Sequence, residues 1–120
     1  MKTMRKTDPN KLLLIEELKR ESRELGVAIW RDIARRLEKP NRNWAEVNIS
    51  RLERYANDGD VIVIPGKLLG AGTLSKKLTV AAYRFSDSAS QKIAEAGGRN
   101  MTISELAHEN PKGCGVRIMR

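Results

Sequence analysis

The sequence is short of the residues that most often carry chemistry. One cysteine, Cys114, and one histidine, His108, stand among 120 residues. A lone cysteine excludes an intramolecular disulfide, and one Cys with one His is too small a ligand set for a thiolate or imidazole metal site. A reducing compartment follows as the expectation. Aromatic residues make up only 4% of the chain, so the core should be aliphatic and broad stacking platforms for unpaired bases are not expected. No stretch approaches the roughly 18 consecutive apolar residues of a membrane span. The charged start MKTMRKTDPN also has no apolar signal core. A soluble, unsecreted protein is expected, with no membrane partner. Acidic residues are missing from two regions, 61–86 and everything after Asn110.

What is abundant is positive charge: 23 Lys and Arg against 15 Asp and Glu leave a net +8. A basic domain of this kind carries the electrostatic footprint of a nucleic-acid binder, although anion or membrane-surface binding shares it. The length fits a single domain, 1–120, able to bury roughly two-thirds of its unfolded surface.

The chain reads as N-terminal helices over about 9–57 followed by β/α turns over about 58–120. Thr7 or Asp8 caps a first helix, Pro9 suits its first turn, and Gly26 stops it. Val27, Ile29, Trp30, Ile33, Ala34 and Leu37 recur at helical spacing until Pro40. Trp30 belongs to that apolar face, whereas Trp44 falls in the following loop, to pack there or to stack on a sugar or base. Asn48 or Ser50 can cap a third helix through Tyr55, closed at Asn57-Asp58-Gly59. VIVIPG then reads as a buried strand ended by Pro65-Gly66, with a Gly-rich loop from Lys67 to Ser75 and a second strand from Lys77 to Phe85. Ser86 caps a helix ended by Gly97-Gly98, Met101 to Ile103 is extended, Ser104 caps a short helix, and Val116 to Met119 closes the chain. The rhythm of apolar residue, cap, short helix, glycine and strand recurs at 47–63, 85–103 and 103–118, as stacked β/α turns on one core would require.

Placed on this skeleton, the basic residues form several surfaces. Arg31 to Arg54 surrounds a Pro/Asn loop with Arg35, Arg36, Lys39, Arg42 and Arg51. Lys67, Lys76, Lys77 and Arg84 lie on or beside the Gly-rich segment, and Lys112 and Arg117 lie in the acid-free tail with Arg120. Gly66, Gly70 and Gly72 allow backbone to approach a phosphate closely, or else serve a tight connection. Sharper chemistry is not there. Gly70-Ala71-Gly72 lacks the third glycine of a dinucleotide fingerprint, with Ser75 in its place, and no GKS or GKT occurs for a phosphate-binding loop. His108 has no second histidine and is expected at the surface. Cys114, between two glycines, is expected to be a small buried residue.

Leu37-Glu38-Lys39-Pro40 followed by Glu46-Val47-Asn48-Ile49-Ser50-Arg51-Leu52 resembles the signature of the eukaryotic-type L-eighteen ribosomal protein family, in its archaeal form. Val63 to Gly70, Lys77 to Ala82, Phe85 through Ile93 to Gly98, Asn110 to Gly113 and Val116 to Ile118 are similar to the same family. They resemble, more distantly, the C-terminal part of bacterial ribosomal protein L-fifteen. The resemblance runs from about Pro9 to Arg120; where many relatives carry more arginine, this chain has Asn41, Asn43 and Trp44. It implies an α/β fold, an irregular superhelix of β-β-α turns behind N-terminal helices. It also implies a cytoplasmic structural component of the large ribosomal subunit, supporting translation. The implied partners are large-subunit ribosomal RNA and neighbouring ribosomal proteins, with no catalysis, no cofactor, no metal ion and no small-molecule substrate. Two alternatives share the charge: a DNA-binding or chromatin-associated basic protein, and an RNA-modifying enzyme. No helix-turn-helix, zinc-finger or basic-zipper pattern supports the first, and no catalytic constellation supports the second.

Overall fold

The computed structural model describes residues 9–120, so the proposed caps Thr7 and Asp8 lie outside the described residues. The elements run α1 (Pro9–Leu25), α2 (Ala28–Glu38), a 3-10 turn (Asn41–Asn43), β1 (Ala45–Asn48), α3 (Ile49–Tyr55), β2 (Val61–Leu69), β3 (Thr79–Phe85), α4 (Asp87–Glu95), β4 (Arg99–Met101), α5 (Ile103–Glu109) and β5 (Val116–Ile118). The fold is α/β, helices first and β/α units after. Each of the three recurring sequence passes is a strand, helix, strand crossover, and every pairing in the sheet is parallel.

Helices cover both faces of that sheet. Along β2, Ile62 and Ile64 point to one side and Val63 to the other, all buried, which is why this strand reads as a continuous apolar run. One core layer joins Ile15, Leu18, Trp30, Ile33 and Leu37 of α1 and α2 with Leu106 of α5 against Val63, Ala81 and Met101. The other joins Ile49 and Leu52 of α3 and Ala89 and Ile93 of α4 against Ile62, Ile64, Leu68 and Val80. Each fully buried Leu, Ile or Val contributes about 1.5–3 kcal/mol. The α1–α2 corner is a tight one. Gly26 takes a φ of 69°, and Ser22 is buried because its hydroxyl donates to the Val27 carbonyl at 2.6 Å.

The structure corrects four details of the sequence reading. Pro65-Gly66 does not end β2, which continues to Leu69, so Lys67 lies in a strand. The reason is a change of partner on one edge: residues 61–63 pair with β5, residues 66–69 pair with β1, and the register against β3 shifts between Ile64 and Lys67. Pro65, which has no N–H to give, sits at that irregularity. Second, α5 is capped by Thr102 and not Ser104. The Thr102 hydroxyl accepts from the Glu105 N–H at 3.0 Å and the Glu105 carboxylate accepts from the Thr102 N–H at 2.7 Å. Only Thr102 has an acid three residues on, which a capping box needs. Third, Asn48 occupies the N-cap of α3 without a side-chain capping bond, and its Oδ1 accepts from the Ala71 N–H at 3.3 Å instead. Finally, Cys114 is exposed, since flanking Gly113 and Gly115 at φ 67° and 72° turn it outward.

The acid-free segment 70–78 is held down by charged side chains from the elements around it. The Glu53 carboxylate accepts from the N–H and hydroxyl of Ser75 at 2.9 and 2.8 Å, and Asp58 accepts from the Lys77 N–H at 2.6 Å. Outside that segment, Asp60 accepts from the Asn57 N–H at 2.8 Å and the Arg117 guanidinium at 2.9 Å. Ser75 holds Glu53 below the ordinary carboxylate pKa, and the Asn57 amide, then Arg117, does the same for Asp60. A depressed folded-state pKa stabilises above the unfolded value, about 4 for these groups, and that contribution is lost as pH falls through the folded value. The thermal midpoint should therefore be level from neutral pH to about pH 5 and fall below about pH 4. Asp60→Asn should shrink that acid-limb drop. A midpoint that rises on acidification would contradict the assignment.

Candidate nucleic-acid interface

Helix α2 buries Trp30, Ile33, Ala34 and Leu37, so its intervening arginines are forced outward. Arg31 and Arg35, one turn apart, line an open recess of about 470 Å³ with Lys19 and Arg23 of α1 and the corner residues Ser22, Gly26 and Ala28. Lys19 is tied to Glu38 at 2.5 Å. Arg23, Arg31 and Arg35 have no ion pair among the described residues, and three unneutralised guanidiniums around one hollow form an anion-attracting surface.

A second, narrower recess of about 180 Å³ is lined by Arg36, Lys39, Asn43, Trp44, Ala45, Pro65 and Arg120. Arg36 also pairs with Asp32 at 3.1 Å across one helical turn. Exposed Arg42 stands beside this recess on the 3-10 turn. The floor is Trp44, and the structure resolves its role toward packing. It is 6% exposed, donates from Nε1 to the carbonyls of Leu37 and Lys39 at 3.2 and 3.0 Å, and meets Tyr83 edge-on at 4.9 Å. Lys11 lies 4.9 Å over its ring and donates to Asn41 Oδ1 at 3.1 Å. The loop from Lys39 to Trp44 is thus fastened from both ends.

The other expected residues divide into two kinds. Glu46, Lys67 and Arg84 are register neighbours on β1, β2 and β3, so Lys67 and Arg84 form a short basic row beside one acid. Arg51 is exposed on α3, and Lys77 and Lys112 are exposed on turns. By contrast, Lys76 and Arg117 have internal work. Lys76 donates to the carbonyls of Glu53 and Ala56 at the end of α3, where its charge also suits the helix dipole. Arg117 bonds Asp60 and the Tyr55 carbonyl, the latter at 3.3 Å.

The three glycines meet this protein's own backbone and side chains. A Cβ on Gly66 would overlap the Ala45 carbonyl, one on Gly70 would overlap the Ser88 hydroxyl, and one on Gly72 would press on Ser50. Lys92 donates to the carbonyls of Gly70 and Gly72 at 2.6 and 2.5 Å, closing the connection further. His108 is exposed as expected, with Nε2 2.8 Å from the Glu17 carboxylate. Among the described residues, no three His, Cys, Asp or Glu side chains gather as metal ligands, and no helix is long and apolar enough to cross a membrane.

Sequence reasoning did not single out Lys19 and Arg23. Their spacing of four puts them on one stripe of α1, but glutamates interleave along that helix, and only the packing of α1 on α2 brings that stripe beside Arg31 and Arg35. Comparison with known proteins gives a consistent result. The family model described as "Ribosomal protein 60S L18 and 50S L18e" matches residues 1–120. A protein of Methanoregula boonei is 53% identical over 119 residues, covering 99% of this chain and 98% of its own length. One of Archaeoglobus fulgidus is 50% identical over 116 residues (97% and 99%), and one of Methanococcus maripaludis is 50% identical over 119 residues (99% and 99%). All three bear the name "Large ribosomal subunit protein eL18".

Proposed function

Because the chain belongs to the family of ribosomal proteins 60S L18 and 50S L18e, and is thereby a structural constituent of the large ribosomal subunit, we propose that it braces folded ribosomal RNA through the basic faces of α1, α2 and the adjoining loop. The observation that carries the choice of surface is the recess in which Arg23, Arg31 and Arg35 stand together without an acid to neutralise them. Phosphates brought close in folded RNA repel one another, and cations held between them release counterions and lower that repulsion. Double-stranded RNA offers shape, phosphate and 2′-hydroxyl more readily than base edges, so a rigid basic surface recognises the fold and not a sequence. The wider recess takes a stretch of backbone and the narrower one a single phosphate, with Arg36, Lys39 and Arg120 around it. Arg42, Arg51, Lys67, Lys77, Arg84 and Lys112 extend the contact, while Lys76 and Arg117 serve mainly to hold the fold. Gly66, Gly70 and Gly72 support the surface from within.

The role is structural, in the cytoplasmic ribosome, beside neighbouring ribosomal proteins and without a reaction of its own. Names of the relatives favour this over a DNA-binding or chromatin role. The test is cosedimentation of the purified protein with salt-washed large subunits through a sucrose cushion at low and high salt. It should pellet with the subunits and be released as salt rises; failure to pellet at low salt would reject the reading.

A further inference from the structure

In a chain with so few aromatic rings, Tyr55 is 52% exposed. It is the last residue of α3, and its backbone is fixed by Arg117 at the carbonyl. Two guanidiniums lie against its ring, Arg51 with Cζ 5.3 Å and Arg54 with Cζ 5.9 Å from the centroid. These residues line a recess of about 240 Å³ together with Glu46, Asn48 and Ser50. Neither arginine pairs with an acid among the described residues, and Glu46, in the same recess, pairs with no cation.

That unpaired carboxylate is the informative group. A recess meant only for phosphate would be weakened by it, because it repels the same anion that the arginines attract. A carboxylate does suit a ligand that presents hydrogen-bond donors, and a half-exposed ring with two guanidiniums near it suits a flat one. Unpaired RNA bases are bound in this way, stacked on aromatic or arginine faces and hydrogen-bonded at their Watson–Crick edges. Of the four bases, guanine alone sets a ring N–H beside an amino group, two donors for the two oxygens of one carboxylate. Cytosine offers its amino group alone and adenine likewise, and uracil offers one N–H between two acceptors.

We propose that this recess receives one unpaired guanine of the ribosomal RNA, its ring on Tyr55, its paired donors on Glu46, and its flanking phosphates on Arg51 and Arg54. The proposal rests on the RNA-binding reading above and adds to it a site that reads a base. It places that site on the β1–α3 junction, where β1 holds Glu46 and the first turns of α3 hold Ser50 and Arg51 on a packed scaffold.

Fluorescein-labelled UUGUU, UUAUU, UUCUU and UUUUU, titrated with the full-length protein and followed by anisotropy, test it. UUGUU should bind about tenfold more tightly than UUUUU, the scale of hydrogen bonds to a charged acceptor that uracil cannot make. Glu46→Gln should erase the guanine preference, Tyr55→Ala should weaken UUGUU binding by a similar factor, and Tyr55→Phe should restore it. Circular dichroism melts matching those of the unaltered protein show that the variants fold. Equal affinity for the four RNAs, or a guanine preference that survives Glu46→Gln, overturns the proposal. Cosedimentation with salt-washed subunits separates the two levels. Unaltered protein that pellets but shows no guanine preference refutes this inference alone, whereas protein that does not pellet refutes the RNA-binding reading beneath it.

Discussion

Replacing Arg23, Arg31, Arg35 and Lys39 together by glutamine should lower affinity for large-subunit ribosomal RNA at low salt by on the order of a hundredfold or more, and should flatten its salt dependence. The two effects have one cause. Each phosphate neutralised by a protein cation releases condensed counterions and contributes about 0.7–0.9 to the slope of log K against log salt. Four lost contacts should therefore make the slope shallower by about 3. These four positions suit the experiment because none of them has an ion pair within the protein among the described residues, so their removal leaves no acid stranded. Surface charges of this sort change stability little, usually within about 0.5 kcal/mol. Filter binding or fluorescence titration across a salt series measures affinity and slope, and a denaturation curve checks the fold. An unchanged slope would remove α1 and α2 from the interface and leave the Lys67–Arg84 row and the exposed turns to carry it.

Trp44→Ala should destabilise the protein by about 3–5 kcal/mol, the usual cost of deleting a large buried aromatic side chain. Loss of the ring opens a cavity under Lys11 and beside Tyr83, and loss of the indole N–H leaves the carbonyls of Leu37 and Lys39 without that donor. Those carbonyls stand at the C-terminal end of α2, where the helix supplies no N–H of its own. Trp44→Phe separates the two contributions: it keeps most of the packing and drops the hydrogen bonds, for an expected cost of about 1–3 kcal/mol. Denaturant unfolding, with midpoints compared at equal m, measures both variants. Should Trp44→Phe unfold like the unaltered protein yet bind RNA more weakly, the ring would belong to the interface and not to the fold.

The contrast between the two tryptophans shows what the sequence could and could not disclose. Trp30 is legible because its helical spacing with Ile33, Ala34 and Leu37 marks one apolar face, and it is fully buried with its N–H on the Pro111 carbonyl at 2.6 Å. Trp44 has no such periodic neighbours, since the groups that receive it come from α2, Lys11 and β3. The stop of α1 at Gly26, the end of α2 before Pro40, the turn at Asn57-Asp58-Gly59 and the Ser86 cap were readable from local residue chemistry, whereas the caps of α3 and α5 were not. The continuation of β2 through Pro65-Gly66 was not, because it depends on a partner strand that replaces another along the same edge. The basic character of the surface follows from composition, but its division into recesses does not. Lys76 illustrates the difference: in sequence it is one of several lysines near a glycine-rich stretch, and in three dimensions its ammonium is spent on the carbonyls that end α3.

The sharing of one edge of β2 by two strands also sets an order of assembly. Residues 66–69 find β1, which precedes them in the chain, whereas residues 61–63 wait for residues 116–118. While the polypeptide is being made, part of the central strand therefore keeps unpaired N–H and carbonyl groups, the kind of edge that recruits other chains. Pairings between segments so distant along the chain also form slowly, because the intervening loop must close before they give anything back. Helices α1 and α2, which precede the sheet in the chain, carry the arginines proposed above to hold phosphate. A nascent chain thus presents its cationic surface well before its sheet can close, and that stretch of the β2 edge stays open until β5 has been synthesised.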